Sequence, residues 1–138
     1  MCMYLIYRLL GPNYRLGTVS ISGRRIRVYL ADSFFKKMFG LMYRDRLERG
    51  RGMLFALGGE SRMGAGIWML NMRFPIDIVW MDSGGRVVDL KENAEPCSSF
   101  LRCKTYVPRS KAKYVLELNS GTARRLGIKR KERITIET

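Results

Sequence analysis

Apolar and polar residues alternate in short blocks along most of the chain, and this pattern predicts a domain built mainly from β-strands. Two β-rich stretches, 18–21 and 26–30, are joined by the turn 22–25 and predict a hairpin. Short apolar runs predict further strands at 53–57, 67–72, 76–81, 86–90, 113–118 and 132–137. A small barrel is the expected arrangement, because a closed sheet leaves no long strand edge exposed.

Two segments have the pattern of short helices. Asp32 or Ser33 can cap a helix that continues to about Tyr43, with apolar residues at helical spacing. Ser120 can cap a single turn over 121–126. We therefore expect an α+β, mainly β fold: a compact, barrel-like sheet with two short helices.

The segments between these elements are predicted to be irregular. Four glycines make 58–66 a mobile loop, and two prolines make 92–109 irregular. Residues 1–17 are expected to form an N-terminal extension or an added strand, followed by a single mainly β domain over 18–138. The first ten residues lack the basic start and the small-residue cleavage site of a signal peptide, so we expect a soluble, cytoplasmic chain with no membrane contact.

Histidine is absent from the 138 residues, and this absence excludes several kinds of chemistry. A Ser–His or Cys–His nucleophile pair and a His-ligated metal site are impossible. The three cysteines form no CxxC pair, so no zinc site, other metal or cofactor is predicted. Cys97 and Cys103 can close a small disulfide loop, but reduced thiols are the preferred interpretation for a cytoplasmic protein.

The charge is strongly positive and unevenly distributed. Lysine and arginine number 26 against 12 acidic residues, a formal charge of +14, and glutamine is absent, a composition typical of thermophilic proteins. The middle of the chain is mildly acidic, so the positive charge lies on both flanks. The flanks include candidate phosphate contacts for nucleic acid or another acidic partner: Arg24, Arg25, Arg124, Arg125, Lys129, Arg130 and Lys131. No aromatic platform or helix-turn-helix pattern accompanies them, so much of this charge is expected on a solvated surface.

Side-chain alternation along strands sorts the other candidate residues. On a strand over 67–72, Trp68 and Asn71 point to opposite faces; Trp68 is either core or a ligand-stacking wall. Asp77 and Asp82 are five residues apart and lie about 16 Å from one another on a regular strand, too far for a catalytic pair. Instead, Asp77 is expected to fix the turn after Pro75, and Asp82 the next hairpin.

Glu117 is the most informative acid. It shares a strand face with Val115 and Asn119, whereas the neighbouring leucines point the other way. A carboxylate in that position either faces water or pairs with a cation, and Arg44 is the candidate partner. A structural ion pair is favoured over a catalytic acid.

An ordered set of motifs resembles the uncharacterised domain-of-unknown-function family 192 over about 26–136. The matching strings are GLMYR (40–44), RGMLF (51–55), WMLNM (68–72), PID (75–77), VWMD (79–82), AEP (94–96), YVLEL (114–118), Gly121 and GI (127–128). Two departures are visible: the family usually has an aromatic residue at Ile67 and a Lys–Asn–Thr run at 70–72, and it has Gly–Asp where this chain has Lys131-Glu132.

The resemblance implies a compact, strand-dominated α+β domain and brings no established activity. It nominates motif positions as a shared surface or core: Met42, Arg44, Trp68, Met69, Asn71, Pro75, Asp77, Asp82, Pro96 and Glu117.

Three functions stay open on the sequence. The leading hypothesis is a non-enzymatic domain that binds a small molecule in a cleft near 58–82; the predicted ligand-binding residues are Arg44, Trp68, Asn71, Asp77 and Glu117. The second is association with nucleic acid through the basic flanks. The third is an enzyme that uses carboxylates and arginine.

Overall fold

The computed structural model describes residues 2–10 and 13–138, which form three α-helices and nine β-strands. Met1, Gly11 and Pro12, part of the predicted extension, lie outside the described residues. The helices are α1 (Cys2–Leu10), α2 (Phe34–Phe39) and α3 (Thr122–Leu126). The strands are β1 (Arg15–Ile21), β2 (Arg24–Ala31), β3 (Arg51–Ser61), β4 (Ile67–Trp68), β5 (Ile76–Met81), β6 (Val87–Ala94), β7 (Thr105–Tyr106), β8 (Ala112–Asn119) and β9 (Thr135–Glu137).

Within the described ranges, seven strands form one mixed sheet in the order β6-β5-β8-β3-β2-β1-β9, and β4 pairs with β7. The α+β, mainly β prediction is confirmed, but the barrel prediction is wrong. The edge strands β6 and β9 do not pair in the described structure, where the isolated bridge Arg86↔Arg133 joins the two edges. The sheet stays open because β9 has three residues and the segment before it contacts only the start of β6.

The predicted hairpin is confirmed. β1 and β2 pair antiparallel, and both turn residues, Ser22 and Gly23, have the positive φ of a tight two-residue turn. The chain then crosses over through α2, because β3 pairs with β2 in parallel. Ser33 caps α2 as predicted, through its hydroxyl and the Lys36 amide at 3.4 Å.

Among the boundaries that differ from the predicted ones, three lie near the candidate site. α2 ends at Phe39 rather than Tyr43, because Gly40 has φ 49° and its amide donates back to the Lys36 carbonyl. β3 continues to Ser61, so half of the predicted mobile loop is strand. The strand predicted over 67–72 ends at Trp68, because the next residues turn back.

Residues Cys2–Leu10 form a helix and not the added strand, which was the alternative to an N-terminal extension, so the described part contains three α-helices instead of two. Tyr4 and Tyr7 of α1 contact the rings of Phe39 and Tyr43 edge-on or tilted, at centroid distances of 5.2–5.5 Å. β1 begins at Arg15, inside the predicted extension; the division at residue 17 stays a prediction. None of the helices in the described residues is long and apolar enough to cross a membrane.

Cys97 and Cys103 form a disulfide across a six-residue separation, with their Cα atoms 5.1 Å apart. The preference for reduced thiols is therefore wrong. A 3-10 turn, Phe100–Arg102, bends the segment between them back on itself and brings the two cysteines together.

The sheet separates two hydrophobic cores. β5 is buried on both faces: Val79 and Met81 pack in the first core, below α3, whereas Ile78 and Trp80 pack in the second. β8 alternates in the same way and directs Glu117 to the side of the second core. This orientation places a carboxyl group inside an apolar layer, beside a cavity.

Candidate functional site

A cavity of about 180 Å³ lies between the end of α2 and the second core. We call it the Trp68 cavity. Its lining residues are Lys37–Met42, Phe55, Gly66–Trp68, Met72 and Glu117. The structure thus brings together two of the predicted ligand-binding residues, Trp68 and Glu117.

Glu117 is the polar centre of this cavity. It is 4% exposed, and its cross-strand neighbours on the sheet are Met53 and Ile78. No hydrogen bond or ion pair reaches its carboxyl group from the residues that the structure describes. Burial in these apolar surroundings raises the pKa of Glu117 to about 8, so the group holds its proton at neutral pH.

Arg44 is not the partner of Glu117, so the predicted ion pair is wrong. The Arg44 guanidinium stacks over two aromatic rings, 4.6 Å from the centroid of Tyr29 and 5.6 Å from that of Tyr14. Arg44 therefore packs on the rings of Tyr14 and Tyr29 and does not line the Trp68 cavity.

Trp68 forms part of the cavity wall with one third of its surface exposed, so the core interpretation is wrong for this residue. Its ring contacts Phe100 of the disulfide loop edge-on at 5.9 Å. The preceding 3-10 turn, Met63–Ala65, is held by a 2.8 Å hydrogen bond from Trp80 Nε1 to the Ala65 carbonyl. Trp80 thus fixes the turn that precedes β4 from the core side, and Trp68 lines the cavity.

Asn71 does not line the Trp68 cavity, but its Nδ2 donates to the sulfur of Met42, a lining residue, at 4.0 Å. Its φ of 61° breaks the predicted strand alternation, and its carbonyl accepts the Tyr43 amide at 3.0 Å. Tyr43 itself has φ 65°, a sparsely populated conformation for an aromatic residue. A backbone hydrogen bond therefore joins Tyr43 and Asn71, both with positive φ, next to the cavity-lining residue Met42.

Asp77 has a structural place away from the Trp68 cavity. It is fully buried, and its two oxygens accept the backbone amides of Asn93 and Ala123, each at 2.9 Å. Asp77 therefore caps α3, and the predictions that it lines the cleft or fixes the turn after Pro75 are wrong. Ser120, the predicted cap, instead donates to Asn93 Oδ1 at 2.7 Å.

Asp82 has the predicted role in the turn after β5. Its Oδ1 accepts the amides of Gly84 at 3.0 Å and Arg86 at 2.9 Å. The two aspartates therefore belong to separate structural motifs, in agreement with the spacing argument.

A second concavity, of about 370 Å³, lies where β2 and β3 begin and β8 ends. We call it the arginine cleft, after five residues of its lining: Arg24, Arg25, Arg49, Arg51 and Arg125. Three of the predicted nucleic-acid residues meet here. The others do not line the cleft: Lys129, Arg130 and Lys131 follow α3, and Arg124 pairs with Glu92 at 3.5 Å.

Several residues that line the Trp68 cavity were not predicted as ligand-binding residues. Gly40 had a readable signal, because glycine after a run of helical spacing is typical of a helix end. A side chain there would place its Cβ 3.0 Å from the Phe55 ring, so the close approach also favours glycine. Met42 was nominated only by the family resemblance, and Phe55 and Met72 were not nominated, because tertiary packing brings these three residues to one cavity.

Comparison with known proteins gives relatives of the same uncharacterised kind. A UPF0127 protein of Thermococcus gammatolerans is 37% identical over 101 residues, which are 73% of this chain and 60% of the relative. A UPF0127 protein of Pyrococcus furiosus is 33% identical over 110 residues, covering 80% of this chain and 86% of the relative. The chain thus spans about three fifths of the length of the Thermococcus relative.

Two solved structures share the fold. A Sinorhizobium meliloti protein described as a candidate transcription regulator has a TM-score of 0.80 and 33% identity, covering 91% of this chain and 96% of its own. A protein of unknown function from Novosphingobium aromaticivorans has a TM-score of 0.74 and 29% identity, covering 88% and 84%. The family model of DUF192, described as Uncharacterized ACR, matches residues 17–136. The chain therefore belongs to the DUF192 family, as the motifs in its sequence indicated.

Proposed function

We propose that this chain is a non-enzymatic binding domain whose Trp68 cavity takes a small, largely apolar molecule with one hydrogen-bond acceptor. The observation that carries the proposal is the Glu117 carboxyl, which is buried beside the cavity and has no hydrogen-bond partner among the residues that the structure describes. A buried polar group without a partner costs free energy, and an acceptor on a ligand would relieve that cost. With its proton held near neutral pH, Glu117 acts as the donor.

The walls suit such a ligand. Met42, Phe55 and Met72 supply apolar surface, and Trp68 supplies a flat aromatic ring beside the rim. The volume of about 180 Å³ is below the roughly 300 Å³ at which ordinary ligand pockets begin, so we expect a fragment-sized molecule.

The enzyme hypothesis receives less support. Glu117 is the one carboxyl group in the described lining of the Trp68 cavity, and the strand neighbours of Glu117 are apolar. Lys37 is the other titratable side chain in that lining, and its amino group donates to the Ala56 carbonyl at 3.2 Å, whereas general acid–base catalysis needs its acid or base within hydrogen-bond reach of the reacting group. The arrangement favours binding without reaction.

The test compares the binding of two probes of similar shape, cyclohexanone and cyclohexane. Binding is measured by changes in amide chemical shifts. A second measurement is the change in tryptophan emission, for which Trp68→Phe identifies the contribution of Trp68. We expect cyclohexanone to bind at about millimolar concentration near pH 6.5 and cyclohexane more weakly. Binding of the ketone falls as pH rises through 8, because Glu117 loses the proton that it donates. Glu117→Gln keeps a donor and therefore keeps ketone binding at pH 9.

Leu101→Ala is the control, because Leu101 is 92% exposed and does not line the cavity. Trp68→Phe should weaken cyclohexanone at least threefold and leave the melting temperature nearly unchanged. The proposal fails if the ketone binds no better than the hydrocarbon, or if Trp68→Phe and Leu101→Ala have equal effects. It also fails if substitutions at Trp68 and Glu117 both unfold the protein, since both residues are then core.

Nucleic-acid association is the second candidate. The convergence of Arg24, Arg25 and Arg125 favours it, as does the description of the Sinorhizobium meliloti relative. It predicts oligonucleotide binding that falls steeply with the logarithm of salt concentration. An absent or salt-insensitive gel shift rejects it.

We keep the cytoplasm as the proposed location. Disulfides are rare in cytosolic proteins outside hyperthermophiles, so Cys97 and Cys103 provide a test. Alkylation of thiols at the moment of cell lysis, followed by mass measurement, should give unmodified Cys97 and Cys103 if the disulfide forms in the cell. Detection of the native protein in a secreted fraction instead of the cytosol contradicts the proposed location.

A further inference from the structure

The arginine cleft has an unusual balance of charge. Its lining contains five arginines and no aspartate or glutamate among the described residues. Arg25 pairs with Glu137 at 3.4 Å, and both side chains of that pair are mostly exposed. Like charges gathered in one concavity repel each other, so this arrangement favours a bound anion.

Arg51 carries donor capacity that the protein does not use. Its Nη1 nitrogen is buried and makes no hydrogen bond within the described residues. The guanidinium lies 5.8 Å from the Tyr29 ring centroid, and the nearby Glu48 is engaged by the Tyr29 hydroxyl at 2.9 Å. Because the Arg51 guanidinium lies toward Tyr29, the accessible donors of the cleft belong to its exposed arginines, Arg24, Arg25, Arg49 and Arg125.

The remaining lining is suited to an organic body rather than to a bare ion. Leu47 and Leu118 are buried below the charged rim, and Leu126 is half-buried at the side. Asn119, Ser120 and Thr122 add neutral polar groups. The volume of about 370 Å³ falls within the range of small-molecule sites.

We propose that the arginine cleft binds a phosphate ester of a small molecule, of about mononucleotide size. Arginine matches phosphate geometry with paired N–H donors, and Arg49 and Arg125 are exposed members of this lining that can supply them. A polynucleotide is less favoured, because Lys129, Arg130 and Lys131 do not continue the lining. The cleft shares no described lining residue with the Trp68 cavity, so this proposal stands independently of the proposed function.

The experiment measures binding by calorimetry at 50 mM and 200 mM salt with four probes: adenosine monophosphate, adenosine, inorganic phosphate and a single-stranded oligomer of twelve thymidines. We expect adenosine monophosphate to bind at least tenfold more tightly than adenosine and more tightly than inorganic phosphate. Arg125→Gln and Arg49→Gln should each weaken adenosine monophosphate at least fivefold. Both side chains are exposed, so these variants should fold even if Arg51→Gln does not.

Arg124→Gln is the matched control, because it removes the same charge from the adjacent residue of α3, which pairs with Glu92 outside the cleft. It should change adenosine monophosphate binding less than twofold. Equal losses in Arg124→Gln and Arg125→Gln overturn the proposal, since binding then follows net charge alone. Adenosine binding as tightly as its monophosphate, inorganic phosphate binding as tightly as the ester, oligomer binding without mononucleotide binding, or no binding at all also overturn it.

Discussion

Two buried carboxyl groups lie on the central strands of the same sheet, in opposite circumstances. Asp77 on β5 accepts two backbone amides, one from the Asn93 bulge and one from the start of α3. Glu117 on the adjacent β8 has a cavity beside it and no partner within the described part of the chain. Asp77 links β5, β6 and α3 through its hydrogen bonds, whereas the Glu117 carboxyl makes no hydrogen bond within the described residues.

The hydrogen-bond partners of a buried carboxyl group distinguish a structural role from a functional one better than its degree of burial does. Both residues are more than nine-tenths buried, and both belong to motifs that resemble the family pattern. Their partners distinguish them: a buried carboxyl group whose oxygens accept hydrogen bonds stabilises the fold, whereas one without a partner is retained at a cost in free energy and indicates a site.

Glu117→Gln should remove a large pH dependence of stability. The unfolded glutamate ionises near pH 4.5 and the buried one near pH 8, so the native state binds more protons between these values. The free energy of unfolding of the native protein should therefore fall as pH rises through this window, by up to about 1.4 kcal/mol per pH unit. Urea titrations at pH 5, 6, 7 and 8 measure the slope.

Other shifted carboxyl groups do not obscure this window. Hydrogen bonds from Arg15, the Glu48 backbone and Ser83 lower the pKa values of Asp32, Glu48 and Glu60, respectively, so these groups titrate at more acidic pH. A slope in Glu117→Gln equal to that of the native protein would show that Glu117 is ionised in the fold, and would remove the contrast with Asp77.

Asp77→Ala should destabilise the protein by roughly 3 kcal/mol, because it leaves two buried amides without acceptors. Asp82→Ala is the matched control: it also removes two amide contacts, but in an exposed turn where water replaces them, so we expect about 1 kcal/mol or less. Chemical denaturation at constant pH measures both. Equal losses of unfolding free energy in Asp77→Ala and Asp82→Ala would mean that burial does not increase the stabilising effect of the Asp77 hydrogen bonds.

Cys97→Ala with Cys103→Ala should cost about 2 kcal/mol, the chain-entropy expectation for so short a loop. Because Phe100 in that loop contacts Trp68, the double variant should also shift Trp68 emission to longer wavelength. Hydrogen exchange at Ala123, held by Asp77, should change only as far as global stability does. A larger local change at Ala123 would show that the two regions are not separate.

Much of the fold was predictable, because strands that are buried on one or both faces have regular patterns. The β1–β2 hairpin and the alternation along β8 follow from adjacent residues alone. The barrel prediction was wrong, because closure of the sheet depends on pairing between β6 and β9, the strands at its two opposite edges. Local sequence carries no information on that distant contact.

The candidate site was predicted in part for the same reason. Trp68 and Glu117 were named as site residues, and they meet at one cavity. Asn71 and Arg44 were misplaced because a left-handed turn at one residue and an aromatic stack at the other override strand parity. Asp77 was misplaced because its partners are backbone amides, which have no signature in the sequence.

The position of β8 also determines when the domain can form. In the sheet it lies between β3 and β5, yet it is encoded by residues 112–119, after both of them. A chain that leaves the ribosome N-terminus first therefore exposes the open edges of two incomplete half-sheets until residues 112–119 have been synthesised. Insertion of this strand joins the halves, and the same step carries Glu117 out of water into its apolar layer.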